Sequence, residues 1–173
     1  MQINVSYDAS VNGAPAGFTS DVQAAVQYLD ALFTNAVSIT IDVGYGEIAG
    51  QRLASGDLGE SLWSQNVPQS YAAVANALQG ESAPGSFTLP VISPDNGTLQ
   101  LSPAEARALG FSVSDSGIEG YVGFSAAPNT FSYAVGTAPP SNEYYFIGVV
   151  EHQNPLMNAG HAHKRLRYRQ RDA

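Results

Sequence analysis

The residues able to do chemistry gather at one end of the chain. All three histidines, His152, His161 and His163, lie in the last 22 residues, as does the only lysine, Lys164. The first of them ends the stretch SNEYYFIGVVEH (141–152), which reads as a capped, apolar helix. Ser141 can cap it, and Glu143 falls in a first turn whose dipole favours an acid. Tyr145, Val149 and His152 are spaced i, i+4 and i+7, on one face, with Gly148 leaving room beside them. An imidazole so placed can ligate a metal, although helix histidines more often simply pack or face solvent. Other chemistries lack their residues. There is no cysteine, so no thiolate nucleophile, thiolate metal site or disulfide framework. Gly59-Glu60-Ser61-Leu62-Trp63 lacks the second glycine of a nucleophile elbow, and no histidine precedes residue 152 to serve as its base. GYGEIAGQ (44–51) lacks the lysine and the spacing of a phosphate loop.

The elements that must position this helix can be read from the pattern of apolar residues. Ile3, Val5 and Tyr7 alternate over 2–7, a strand. A turn cluster at 12–17 leads to a helix from Ser20, which forms a capping box with Gln23. Its apolar face is Val22, Ala25, Val26, Leu29, Leu32 and Phe33, and Asn35 is its stop. Val37, Ile39, Ile41 and Val43 alternate again, a second strand. Gly44 and Gly46 suggest a bulge or bend at its end. Residues 53–63 have little period. Pro68 suits the first turn of a helix running to Gln79, closed by Gly80. FTLPVI (87–92) reads as an edge strand and 93–97 as a turn. Ser102-Pro103-Ala104-Glu105 is a compact helix start that Gly110 closes. Residues 117–124 and 130–135 read as two strands of one sheet. The order is mixed, and a single twisted sheet with helices packed on it fits best.

At 173 residues one domain with a sizeable core is the default. No apolar run is long enough to span a membrane. MQINVSYDAS begins at once with a strand pattern and has no basic-then-apolar leader layout. The net charge of −8 is split. Residues 1–163 hold two basic residues, Arg52 and Arg107, against fourteen acids, a net −12; KRLRYRQRDA (164–173) holds five bases and one acid, a net +4. A basic tail can meet nucleic acid, but the acidic body repels phosphate, which argues against that partner.

Three separated segments carry a resemblance. INVSYDASVNGAPAGF (3–18), ITIDVGYGEIAG (39–50) and NEYYFIGVVEH (142–152), in this order, resemble a bacterial family of metzincin-like zinc metalloproteases, over residues 1 to about 152. The resemblance implies an α+β fold: a single zincin-like domain, a twisted mixed sheet with packed helices, ending at the active-site helix. It implies a metalloprotease-like region at 1–152, followed by an atypical basic tail at 153–173. It also implies a zinc cofactor, a protein or peptide substrate lying extended along a sheet edge, and an extracellular setting. In such a family the last helix continues from its first histidine into a motif like H-E-x-x-H. Two imidazoles one turn apart hold zinc, and the glutamate between them is the general base for the metal-bound water.

This chain departs from the motif immediately after His152. Gln153 occupies the general-base position, and an amide cannot take a proton at neutral pH. Leu156 stands where the second ligand belongs. Pro155 would cost about 3 kcal/mol inside a helix. His161 and His163 lie nine and eleven residues beyond His152, whereas the longer metzincin motif spaces its first and third histidines about ten apart. They are the additional candidates for a makeshift zinc site with His152. The expectation is a zinc metalloendopeptidase by descent, truncated or frameshifted after His152 and inactive, without stable zinc; genuine divergence is the alternative origin. The rival function is a non-catalytic acidic binding domain or a secreted structural one.

Overall fold

The computed structural model describes residues 1–33, 36–80, 97–114, 117–133 and 138–150, and the backbone of 151–153 and 164–165. The expected edge strand at 87–92, most of the turn after it, the stop at Asn35, Pro155, Leu156, His161 and His163 lie outside these residues.

Strand β1 (Gln2–Tyr7) is followed by a 3-10 turn (Ala9–Gly13) and helix α1 (Phe18–Leu32). Strand β2 (Ser38–Tyr45) leads into a hairpin of β3 (Glu47–Ile48) and β4 (Gln51–Arg52), then β5 (Gly59–Trp63). Strand β6 (Val67–Ser70), helix α2 (Tyr71–Gly80), strand β7 (Thr98–Leu101) and helix α3 (Pro103–Ala108) come next. Strand β8 (Gly120–Phe124), the short β9 (Phe131–Ser132) and β10 (Tyr144–Tyr145), helix α4 (Phe146–Gln153) and β11 (Lys164–Arg165) complete the series. The architecture is α+β, with one mixed sheet in the order β1-β2-β8-β5-β11. The first three strands are parallel; β5 is antiparallel to β8, and β11 to β5.

Period-2 alternation accounts for the principal buried face. Ile3 pairs with Ile39, Val5 with Ile41, and Val43 with both Tyr7 and Val122, so one face carries the apolar set. Helices α1 and α4 cover it, placing Phe18, Val22, Ala25, Leu29, Phe146 and Val150 in the same core. Between α2, α3 and the β6–β7 ribbon lies a second, smaller core of Val74, Leu101 and Ala106.

Local chemistry fixes several ends. In α3 the Ser102 hydroxyl accepts from the Glu105 N–H (3.2 Å), and the Glu105 carboxylate accepts from the Ser102 N–H (2.8 Å), the expected reciprocal box. At its other end the Phe111 N–H reaches the Ala106 carbonyl and the Gly110 N–H the Arg107 carbonyl. This is a Schellman closure, with Gly110 at φ +80°. In the β3–β4 hairpin the two turn residues, Ala49 and Gly50, both have positive φ, as a type I′ turn requires.

Six expectations are corrected. Helix α1 starts two residues earlier than Ser20, from a left-handed Gly17, and the Ser20 hydroxyl donates to the Gly17 carbonyl instead of capping. Leu32 is half exposed, so the buried stripe ends at Leu29. Pro68 lies in β6, opposite Gln100 of a two-stranded ribbon where a missing N–H is tolerated; Ser70, accepting from the Ala73 N–H, opens α2. Residues 59–63 are a strand although they show no period. Gly59, Glu60 and Ser61 are all buried, so neither face is free to be polar by rule. Strand β9 does not join the main sheet but pairs in parallel with β10. Finally, the last helix begins at Phe146, not Asn142, because the Tyr144 N–H bonds to the Thr130 carbonyl and draws Tyr144–Tyr145 into that ribbon.

Candidate functional site

Helix α4 carries His152, and an aromatic cluster holds its first turn in place. The Phe146 ring is fully buried and lies 4.9 Å from Phe124, 5.0 Å from Phe18, 5.2 Å from Phe131 and 4.9 Å from Tyr133, centroid to centroid. Strand β10 leads directly into that turn and is tied to β9. The helix then packs against α1 and against the antiparallel strand β5. Buried Phe146 and Val150, four residues apart, mark its inner stripe. At 100° per residue, position 152 falls about 140° round the helix from that stripe, on the side of Gly148. Around Gly148 no atom of the described residues lies within 4 Å of where a Cβ would project. Tyr145, expected on the same helical face, belongs to β10 instead.

Among the described residues the donor set does not match a zinc site. Helix α4 offers one imidazole, at position 152, with Gln153 next to it. The position one turn further on is Leu156, which has no donor atom. Among the described residues there is no group of three His, Asp or Glu side chains able to hold a metal. His161 and His163 fall outside those residues.

A buried carboxylate that sequence reasoning passed over sits on α1. Asp21 is 3% exposed, and its Oδ2 has no hydrogen-bond partner among the described residues. Burial raises its pKa above the usual carboxylate value. The Tyr133 hydroxyl is also pushed up, first by burial, then by the fields of Tyr45 and Asp21. Tyr45 is raised by burial. The sequence held a signal: positions 18, 21, 22, 25 and 29 form one continuous helical stripe, which includes the aspartate. An acid in a first helical turn is also accounted for by the helix dipole, so its position alone does not single it out.

The consequence for stability has a definite sign. A carboxyl with a raised folded pKa favours the protonated folded form. Its charge therefore destabilises the fold above the folded pKa. That penalty disappears as pH falls toward the unfolded value, about 3.9. Asp21→Asn is expected to gain stability over the parent at about pH 7, with the gain shrinking as the pH approaches 4. Urea midpoints of both chains across that range measure it; a gap independent of pH would mean that Asp21 is not charged and buried as described.

The opposite end of the sheet holds an ion pair between Arg107 of α3 and Glu119, just before β8. Glu119 is 7% exposed, and the pair ties α3 to the start of β8. Comparison of the chain with family models, with curated proteins and with solved structures gives no match.

Proposed function

We propose that this chain is built on a zincin-like metallopeptidase scaffold whose catalytic centre is incomplete, and that it does not hydrolyse peptide bonds. The observation that carries this reading is the placement of α4. The helix that carries His152 packs beside an antiparallel strand, β5, one strand in from the short β11 edge of a mixed sheet, with no described atom near its Gly148 side. That arrangement suits a peptide lying extended along the strand above the helix. The ligand set does not follow it: the base position is an amide and the second ligand position is a leucine.

Three measurements test the proposal. Purified chain incubated with casein and added zinc is expected to give no chelator-sensitive hydrolysis. After dialysis against trace zinc, bound metal is expected near zero equivalents, and His152→Ala should leave that value unchanged. Robust chelator-sensitive hydrolysis would overturn the inactivity. Retention near one equivalent that disappears in His152→Ala would overturn the loss of the metal site, with His161 and His163 as the added ligands. Third, the codons after His152, read in the other two frames, should encode a glutamate and a second ligand if the motif was lost by a frameshift. Unrelated codons there would assign the loss to divergence.

A further inference from the structure

A groove of about 410 Å³ lies at the seam between the two cores of the protein. Its lining comes from two places: Ala36, Val37 and Ser38 at the entry to β2, and Arg107, Gly110 and Phe111 at the end of α3. Val37 packs against the main core and Phe111 against the smaller one. Small-molecule sites favour junctions between packed units, and this volume falls in their usual range of about 300–1,000 Å³. None of the lining residues lies on α4 or β5, so the groove is separate from the helix of His152.

The chemistry of the walls selects the ligand. Arg107 is one of only two bases in residues 1–163, and its ion pair with Glu119 leaves capacity unused. An arginine and a carboxylate commonly meet through two parallel hydrogen bonds. Here Glu119 Oε1 meets Nη2, while Glu119 Oε2 and Arg107 Nε are buried without a hydrogen-bond partner among the described residues. Nε and Nη2 are closed to solvent, so the 27% of the side chain that stays exposed lies on Nη1, Cζ and the aliphatic stem. An oxyanion entering the groove therefore meets a cation that Glu119 neutralises from one side only. The other walls are apolar at Val37 and Phe111 and hydroxylic at Ser38, which suits a flat apolar body behind the anionic group. Net charge decides which oxyanion. With −12 on residues 1–163, a doubly charged phosphate is repelled more than a singly charged carboxylate. We propose that the groove between β2 and α3 is a binding site for a small aromatic monocarboxylate, held through Arg107. The inference does not rest on the metallopeptidase reading, and zinc or hydrolysis results leave it unaffected.

Benzoate is the probe, with benzamide as its neutral counterpart and phenyl phosphate as the doubly charged one. Trp63, the only tryptophan, lines a small cavity together with Glu119 and so reports on the ion pair. Titrating the full chain with benzoate should change Trp63 emission saturably, with a Kd near about 1 mM for a fragment of this size. Saturating benzoate should also raise Tm, because it binds the folded chain alone. Benzamide and phenyl phosphate should each bind at least about ten-fold more weakly. Arg107→Lys keeps a charge opposite Glu119 but loses the planar fork, and should weaken benzoate at least about ten-fold. Ala36 is exposed, so Ala36→Phe fills the groove and leaves the ion pair in place. That variant should keep the parent's Tm and lose the probe to the same degree. A titration still linear at about 10 mM benzoate, or equal binding by Ala36→Phe and the parent, would overturn the site. Equal binding of benzamide and benzoate, or of benzoate by Arg107→Lys and the parent, would overturn the part given to the guanidinium. Tighter binding of phenyl phosphate would overturn the carboxylate.

Discussion

Phe146→Ala is expected to destabilise the protein by about 3–5 kcal/mol, the range for removing a buried phenylalanine from a core that cannot collapse around the gap. The ring is fully buried and meets four other rings at centroid separations of 4.9–5.2 Å. Each favourable aromatic pair adds about 0.5–1.5 kcal/mol beyond area burial. The four partners come from separate parts of the chain: Phe18 opens α1, Phe124 ends β8, Phe131 lies in β9 and Tyr133 just after it. These elements cannot all move inward at once, so a cavity should persist. A domain of this size is stable by only about 5–15 kcal/mol, and each kcal/mol lost lowers Tm by about 2–4 °C. A fall in Tm of about 6–20 °C follows, with a lower urea midpoint at an unchanged m value. Phe146→Leu, which keeps most of the volume, should cost less. A loss below about 1 kcal/mol for the alanine variant would mean that α4 is not anchored by this ring, and with it the position of His152 on the sheet.

The parts of this arrangement that could be read in the sequence are those written locally. Helix α3 announces itself through Ser102, Glu105 and Gly110, because its capping bonds join residues close in sequence. Strands β1 and β2 show in their alternation because their two faces have different surroundings. Strand β5 has no such contrast. Its Gly59, Glu60 and Ser61 are buried between α4 on one face and the β3–β4 hairpin on the other, so alternation is lost. The start of α4 misleads for a different reason. Ser141 and Glu143 satisfy the local rule for a helix end, but a hydrogen bond from Tyr144 to Thr130, fourteen residues away, turns the next two tyrosines into a strand. The candidate site divides in the same way. His152 on a helix and the misfit of Gln153 and Leu156 are legible because ligand spacing is local. The strand at 164–165 is not, since two residues have no period and the partner lies about a hundred positions upstream. The basic excess of 164–173 and the acidic excess upstream are visible in the sequence, but nothing local names Glu60 as the residue opposite position 165.

Gly123→Ala is the second substitution with a large expected effect, and Gly148→Ala is its control. Alanine in place of glycine normally gains roughly 0.5–1 kcal/mol in a regular element, because the unfolded glycine has more freedom to lose. Around Gly148 nothing among the described residues stands within 4 Å of the added methyl, so that gain should appear undiminished, as a small rise in stability. At Gly123 the methyl would run into the Glu47 carbonyl oxygen and would stand 2.8 Å from the Ile48 Cβ. The obstacle is backbone, and a rotamer change cannot clear it. Nor can the hairpin withdraw freely: the Gly46 N–H bonds to the Phe124 carbonyl at 2.6 Å, the Leu53 N–H closes back on Gly46 at 3.1 Å, and the Ser10 hydroxyl donates to the Glu47 carboxylate at 3.3 Å. Overpacking of this kind costs about 1–3 kcal/mol where side chains can yield, and the upper end or more is expected here. The same substitution should thus raise the urea midpoint at position 148 and lower it sharply at 123. The damage should also be directional. Gly123 pairs with Glu60, so lifting the hairpin uncovers the face of β5 on which that carboxylate lies. Amide exchange along β5 should rise in Gly123→Ala while α1 stays protected. A neutral Gly123→Ala, or uniform loss of protection, would mean that the hairpin does not seat on β8 and that Glu60 owes its burial to something else.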